Sequence, residues 1–275
     1  MFRSNDMSPP TSLAVLDIET VAATTEDNSF PPWPTHRPVV ASVLTADRRR
    51  YGQWQFELES VTFDDGRCAI ERVSHLLERR TVIGFNTRGF DLPALAVEAM
   101  RHQHFDCAGL SLAWRANRYS GNHVDLLDVI SSFGGARGAN LAMLCAELGI
   151  PCKVDAHGSE VGEMMASGKA DAVARYCESD TAATLCLAGM VLALRHNEPT
   201  YAGLVSQFGV WVRERGLKHL AAYQRLPSHA ELDRLSLVGI VEEGIEALDH
   251  RLHLQWATNV PGASSVTKSA FSDIL

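Results

Sequence analysis

The hydrophobic pattern changes character along the chain, from short apolar runs at the start to helical stripes further on. Residues 13–18 (LAVLDI) form a strand-length apolar run broken by one acid, Asp17. Pro31, Pro32, Pro34 and Pro38 crowd residues 21–38 and predict a loop. Residues 39–45 and 51–58 read as two strands joined by a turn at Arg48, Arg49 and Arg50, most simply a hairpin. Within residues 68–80, Ile70, Val73, Leu76 and Leu77 recur at helical spacing, and the β-branched and aromatic run 81–85 predicts a further strand. The order is strand, hairpin, helix, strand.

Helical patterns follow. Residues 92–104 open on Pro93, which suits a first helical turn. Further helices are predicted over 126–132, 140–148 (stopped by Gly149 and Pro151), 160–166 and 170–195. Residues 203–223 are predicted helical, and Ser228-x-x-Glu231 has the form of a capping box leading into Leu232, Leu235, Val238, Ile245, Leu248 and Leu252 on one stripe. Gly239 and Gly244 argue against an unbroken helix there. Residues 261–265 are linker-like and the tail beyond them is expected to be loose.

Composition narrows the class. With 275 residues, 46% hydrophobic and 21% charged, the chain can bury a large core, which excludes wholesale disorder, collagen and coiled coil. The uncharged stretch 181–194, bracketed by Asp180 and Arg195, falls short of the roughly 18 residues a bilayer span needs. No membrane segment and no secretion signal are expected, so the expected location is cytoplasmic. The cysteines, 68, 107, 145, 152, 177 and 186, contain no C-x-x-C, which predicts reduced thiols and no structural zinc. A net charge of −8 disfavours bulk coating of nucleic acid. It is compatible with an enzyme whose site gathers carboxylates around cations.

Three groups carry candidate chemistry. Asp17 and Glu19, at i and i+2 of a strand, leave on the same face, where paired carboxylates need a cation or water. Asn86, Phe90 and Asp91 lie where a strand runs into a polar loop and a Pro-bearing helix start; Asp91 is also a natural N-cap. Tyr176 and Asp180, at i and i+4, share a helical face. Each group alone is weak.

Their order and spacing resemble the Exo I, Exo II and Exo III motifs of the DEDDy 3′-5′ exonucleases. The closer resemblance is to the stand-alone bacterial group related to the proofreading domain of family B DNA polymerases. It runs through LDIET (16–20), IGFN (83–86), FDLP (90–93), DLLD (125–128), Gly158 with Ser159, and YCESD (176–180), and covers roughly residues 12–225. That resemblance implies an α/β, ribonuclease H-like mixed sheet flanked by helices, its first three strands antiparallel. The expected domains are 1–225 for the exonuclease and 226–275 for a helical C-terminal extension, a candidate interface. It further implies Asp17, Glu19, Asp91 and Asp180 as catalytic metal ligands for two divalent cations, Mg²⁺ or Mn²⁺. Tyr176 is implied as the residue orienting the attacking water. Asn86 is the substrate-binding candidate, with bracing of Asp91 as its alternative. Asp125 and Asp128 fall outside the implied quartet.

The implied reaction is hydrolysis of single-stranded nucleic acid, DNA favoured, from the 3′ end to nucleoside 5′-monophosphates. The alternatives are an exoribonuclease acting on short RNA and a non-catalytic nucleic-acid-binding module. Hard cations select carboxylates over His or Cys. Gly162 to Lys169 fails as a Walker loop because five residues separate its glycines. Gly134, Gly135, Arg137 and Gly138 read as a plain loop, or as a loop presenting N–H groups to a phosphate.

Overall fold

The computed structural model describes residues 9–22, 31–152, 160–224 and 230–259. Among them, β1 (Ser12–Val21), β2 (Arg37–Arg48), β3 (Trp54–Thr62), β4 (Thr81–Gly84) and β5 (His123–Asp125) form one sheet in the order β3-β2-β1-β4-β5. β1 pairs antiparallel with β2, and β2 with β3, whereas β4 pairs parallel with β1 and β5 parallel with β4. The mixed sheet with three antiparallel strands first is the one the resemblance implied.

Period-two alternation in β1 divides the core. Ala14, Leu16 and Ile18 face α1 (Gly66–Leu77) and α2 (Asp91–Arg101), and α3 (Ala108–Trp114) packs beside them. Leu13 and Val15 face the opposite way, toward α7 (Ala170–His196) and α8 (Gly203–Arg215). Asp17 and Glu19 continue that second row. On the α7 side also lie α4 (Leu126–Ile130), α5 (Leu141–Leu148) and α6 (Val161–Ala166).

α7 is longer than its uncharged stretch. By length and composition it is apolar enough to cross a membrane, with mean hydropathy 1.3, yet 72% of that window is buried inside this molecule. Leu185, Cys186, Leu187 and Leu192 are fully enclosed, so its apolarity is that of a central core helix.

Several boundaries differ from expectation for local reasons. The strand β5 and helix α3 were not foreseen, because β5 is three residues long and shows no alternation. Residues 203–223 divide: α8 ends at Gly216, in the left-handed conformation (φ +67) that closes helices, and a 3-10 segment spans Lys218–Gln224. The last helix, α9 (Ala230–Asn259), runs straight through Gly239 and Gly244. Gly239 is there for contact: the backbone of Gly52 approaches it so closely that a Cβ on Gly52 would lie 3.3 Å from its carbonyl carbon.

α9 docks against the tip of the β2–β3 hairpin. Arg48 pairs with Glu243 at 2.6 Å, the Gly52 N–H also donates to Glu243, and Ser206 Oγ donates to Asp233 at 2.5 Å. The capping box at Ser228, the expected boundary at 225/226, residues 158–159 and the linker at 261–265 lie outside the described residues.

Candidate active site

The acids meet at the carboxyl ends of the parallel strands. Asp17 and Glu19 leave β1 toward α7, beside a β-bulge that shifts the β1–β2 register between Glu19 and Thr20. From α7, Cys177 inserts between them: ligand atoms of Asp17, Glu19 and Cys177 all lie within 4.8 Å of one another. The Cys177 thiol donates to the Asp17 carbonyl and to its Oδ2, both at 3.3 Å. Tyr176, next to Cys177 in α7, and Asp180, one turn further on, share a face, and the Tyr176 hydroxyl hydrogen-bonds Asp180.

Asp91 arrives from the other layer. It occupies the first position of α2, where Phe90 is the N-cap and makes no side-chain cap. Capping is therefore not its role: Asp91 Oδ1 accepts the Ile18 N–H at 3.1 Å, which fixes the carboxyl to β1 between Asp17 and Glu19.

Electrostatics show how tightly these groups are gathered. Burial and the charges of Asp91, Glu19 and Asp180 push Asp17 well above the usual carboxylate range. Burial, with Asp180 and Asp91 adding repulsion, pushes Glu19 up to about 8. Asp91 rises to about 7 through burial, partly offset by its backbone hydrogen bonds. Tyr176 is driven above the ordinary phenol range by burial and by Asp180, Glu19 and Asp17, so it stays protonated. Buried acids repelling one another are costly unless a cation joins them. This donor set, oxygen-rich and hard, fits divalent ions such as Mg²⁺ or Mn²⁺. Cys177, itself held protonated by burial and by Asp17, is a hydrogen-bond donor beside the set.

The sequence itself decides the broader identity. Residues 28–226 match the family described as predicted 3′-5′ exonucleases related to the exonuclease domain of PolB. The chain belongs to that family. No curated protein matches the sequence significantly. Among solved structures, the family B DNA polymerase of Pyrobaculum calidifontis is similar at 19% identity, over 79% of this chain and 27% of that one, with a TM-score of 0.43. E. coli exonuclease I in complex with a dA16 oligonucleotide is similar at 15% identity, over 75% of this chain and 45% of that one, also at 0.43. Exonuclease I from Methylocaldum szegediense gives 16% identity, 70% and 42% coverage and again 0.43. This chain thus spans about a quarter of the polymerase and under half of each exonuclease I.

In this exonuclease-family chain, the loop from β4 to α2 is built around Asp125, which sequence reasoning set aside. Its carboxylate accepts the N–H groups of Asn86 (3.0 Å) and Arg88 (2.8 Å) in that loop and of Leu127 (3.0 Å) in α4. His123, two residues earlier, meets Thr87 Oγ1 at 2.9 Å; burial and the nearby Arg88 hold it neutral, down to about 3. Gly84 admits the tight return, since a Cβ there would lie 2.0 Å from Thr87 Cγ2. Asn86 sits exposed at φ +62, a conformation asparagine tolerates, with its side chain over Gly89. Ile18 N, and not Asn86, is what holds Asp91 Oδ1. The signal for Asp125 was present: an acid directly before a helical run is an N-cap pattern.

Asp125→Ala is expected to orphan these buried N–H groups and cost about 2–4 kcal/mol of stability. Urea denaturation would measure that loss. Nucleotide release should fall with it as the Asn86 loop shifts, and an unchanged urea midpoint would refute the bracing role.

Proposed function

We propose that this protein is a metal-dependent DEDDy-type 3′-5′ exonuclease that removes nucleoside 5′-monophosphates from single strands, preferentially DNA. One observation carries this reading: acids from three distant segments, Asp17 with Glu19, Asp91, and Asp180, converge in one half-buried spot, where burial and the charges of Asp91 and Asp180 push Asp17 and Glu19 up and burial raises Asp91. That is an unstable arrangement without cations and a ready one with them.

Asp17, Glu19 and Asp180 would hold one divalent ion, and Asp17 with Asp91 the other. Such a pair supplies a deprotonated water and charge neutralisation at the leaving oxygen. The protein's own groups do the rest. Ile18 N and the Cys177 thiol fix the directions of Asp91 and Asp17, so the carboxylates are set before substrate arrives. Tyr176, protonated and bonded to Asp180, orients the water as a hydrogen-bond partner and does not act as a base. Asn86, exposed on the loop that carries Asp91, contacts the terminal nucleotide. The water oxygen bonds to phosphorus as the P–O3′ bond breaks. The upstream 3′ oxygen takes a proton and becomes the new 3′-hydroxyl.

The test is release of mononucleotides from 5′-labelled oligonucleotides, DNA and RNA in parallel, with Mg²⁺, Mn²⁺ or EDTA. Stepwise shortening from the 3′ end that EDTA abolishes is expected, faster on DNA. Faster RNA shortening would move the substrate class, and no release from any strand would remove the enzyme. Tyr176→Phe should retain activity at a cost of about 10- to 100-fold, the worth of one hydrogen bond to a charged group. A loss as deep as that of an acid, read from kcat on the same strands, would make the phenol indispensable and not merely orienting.

A further inference from the structure

Outside the acids, the β5 edge of the sheet carries aromatic and basic side chains that the hydrolytic step leaves unused. Phe133 is 41% exposed and Tyr119 78% exposed. The guanidinium carbon of Arg118 stands 4.6 Å from the Phe133 ring centroid, a cation–π contact made on the surface. Phe133 (φ +58) and Ser132 (φ +51) both adopt the left-handed conformation that L residues disfavour. Their turn is nonetheless well anchored, with Phe133 N donating to Asp128 O at 2.6 Å and Ala136 N to Ser131 O at 2.8 Å. The backbone thus holds an apolar ring toward water.

Charge sets this patch apart. Residues 114–121 and 131–140 contain Arg115, Arg118 and Arg137 and no Asp or Glu, in a chain whose net charge is −8. Arg88 fastens the patch to the loop of Asn86 and Asp91. Its Nη1 donates to Ala116 O at 2.5 Å and its Nε to Asp128 Oδ2 at 3.1 Å. Arg118 lies two residues past Ala116, within about 7 Å of it even on a fully extended chain.

We infer that Arg118 and Phe133, with Tyr119 alongside, form a stacking platform for bases upstream of the 3′-terminal nucleotide of a single strand. Arg115 and Arg137 meet that strand's phosphates. This rests on the proposed exonuclease reading and extends it from the reacting phosphate to the body of the strand. Every base offers a π face to a ring covered by a guanidinium, so the platform grips without reading sequence, and the local cations track the backbone. It also accounts for a surface aromatic ring that no core requires.

The test measures binding of the full chain, in EDTA, to a fluorescent thymidine dodecamer, its uridine counterpart, and a dodecamer with abasic internal positions. Phe133→Ala and Arg118→Ala are expected to raise Kd for the intact strands by about 5- to 100-fold, the worth of base stacking. On the abasic strand, where wild type has already lost that grip, the variants should add little. Phe133→Trp should restore binding, which a merely misfolded turn would not permit. Equal weakening of intact and abasic strands, or none at all, overturns the platform. Wild-type hydrolysis of thymidine 5′-(p-nitrophenyl) phosphate, which has no upstream base, separates the two claims. Turnover of that ester without base-dependent binding removes the platform alone, whereas base-dependent binding without turnover of any substrate removes the exonuclease and leaves the platform.

Discussion

Asp17→Asn should abolish mononucleotide release and, at the same time, make the metal-free protein more stable. Asp17 is repelled by Asp91, Glu19 and Asp180 and desolvated as well, so the neutral amide removes the most unfavourable charge in the cluster. An amide of the same shape keeps the contacts of β1 while losing a negative ligand that both ions would share. Losing several kcal/mol of charge stabilisation in the transition state corresponds to at least about 10³-fold in rate. The gain in stability, about 1–3 kcal/mol above neutral pH, is the mirror of that loss. Denaturation midpoints and single-turnover rates on one preparation measure both. A variant that lost activity and stability together would show Asp17 to be structural.

The second large effect concerns pH. Unfolded Glu and Asp titrate near their ordinary values of about 4.3 and 3.9. In the folded, metal-free protein Glu19 is raised to about 8 and Asp91 to about 7. Both shifts are upward, so the folded state binds more protons than the unfolded state between these limits, and stability must fall as pH rises through that window. The fall begins near pH 4, continues to about pH 8 and levels off above, amounting to several kcal/mol over the cluster. Millimolar Mg²⁺ or Mn²⁺ should reverse it, most strongly at pH 8, because binding expels the retained protons. Urea midpoints from pH 4.5 to 8.5, with and without cation, give the comparison. Glu19→Gln should flatten the metal-free slope; a slope as steep in that variant would place the titration elsewhere.

Much of this architecture was legible in the residues, and the gaps have physical causes. The strand that carries Asp17 and Glu19 announces itself by alternation, and two acids on one face of a buried strand demand compensation. The placement of Tyr176 and Asp180 follows from helical spacing. Asp91 could be read locally as a cap, and only the resemblance placed it among the ligands, because sequence shows a helix start and cannot show that the Ile18 N–H waits across the sheet. Cys177 was invisible as an organiser for the same reason, its partner lying 160 residues away, and Asp125, legible as a cap, gave no sign of its hold on the Asn86 N–H 39 residues back. Short β5 gave no periodicity to find, and in α9 Gly239, which weakens helix propensity, answers to close packing against the hairpin at Gly52, a tertiary demand.

Because β1 lies at the centre of the sheet and Asp180 enters from a helix more than a hundred and fifty positions later, no early fragment of this chain holds a complete cluster. If that cluster is the active site, the nascent chain stays inert until α7 has emerged and packed against β1. On the proposed reading, a fragment that stops short of α7 lacks Tyr176 and Asp180 and would not hydrolyse a strand, whereas one that stops after it keeps all four acids.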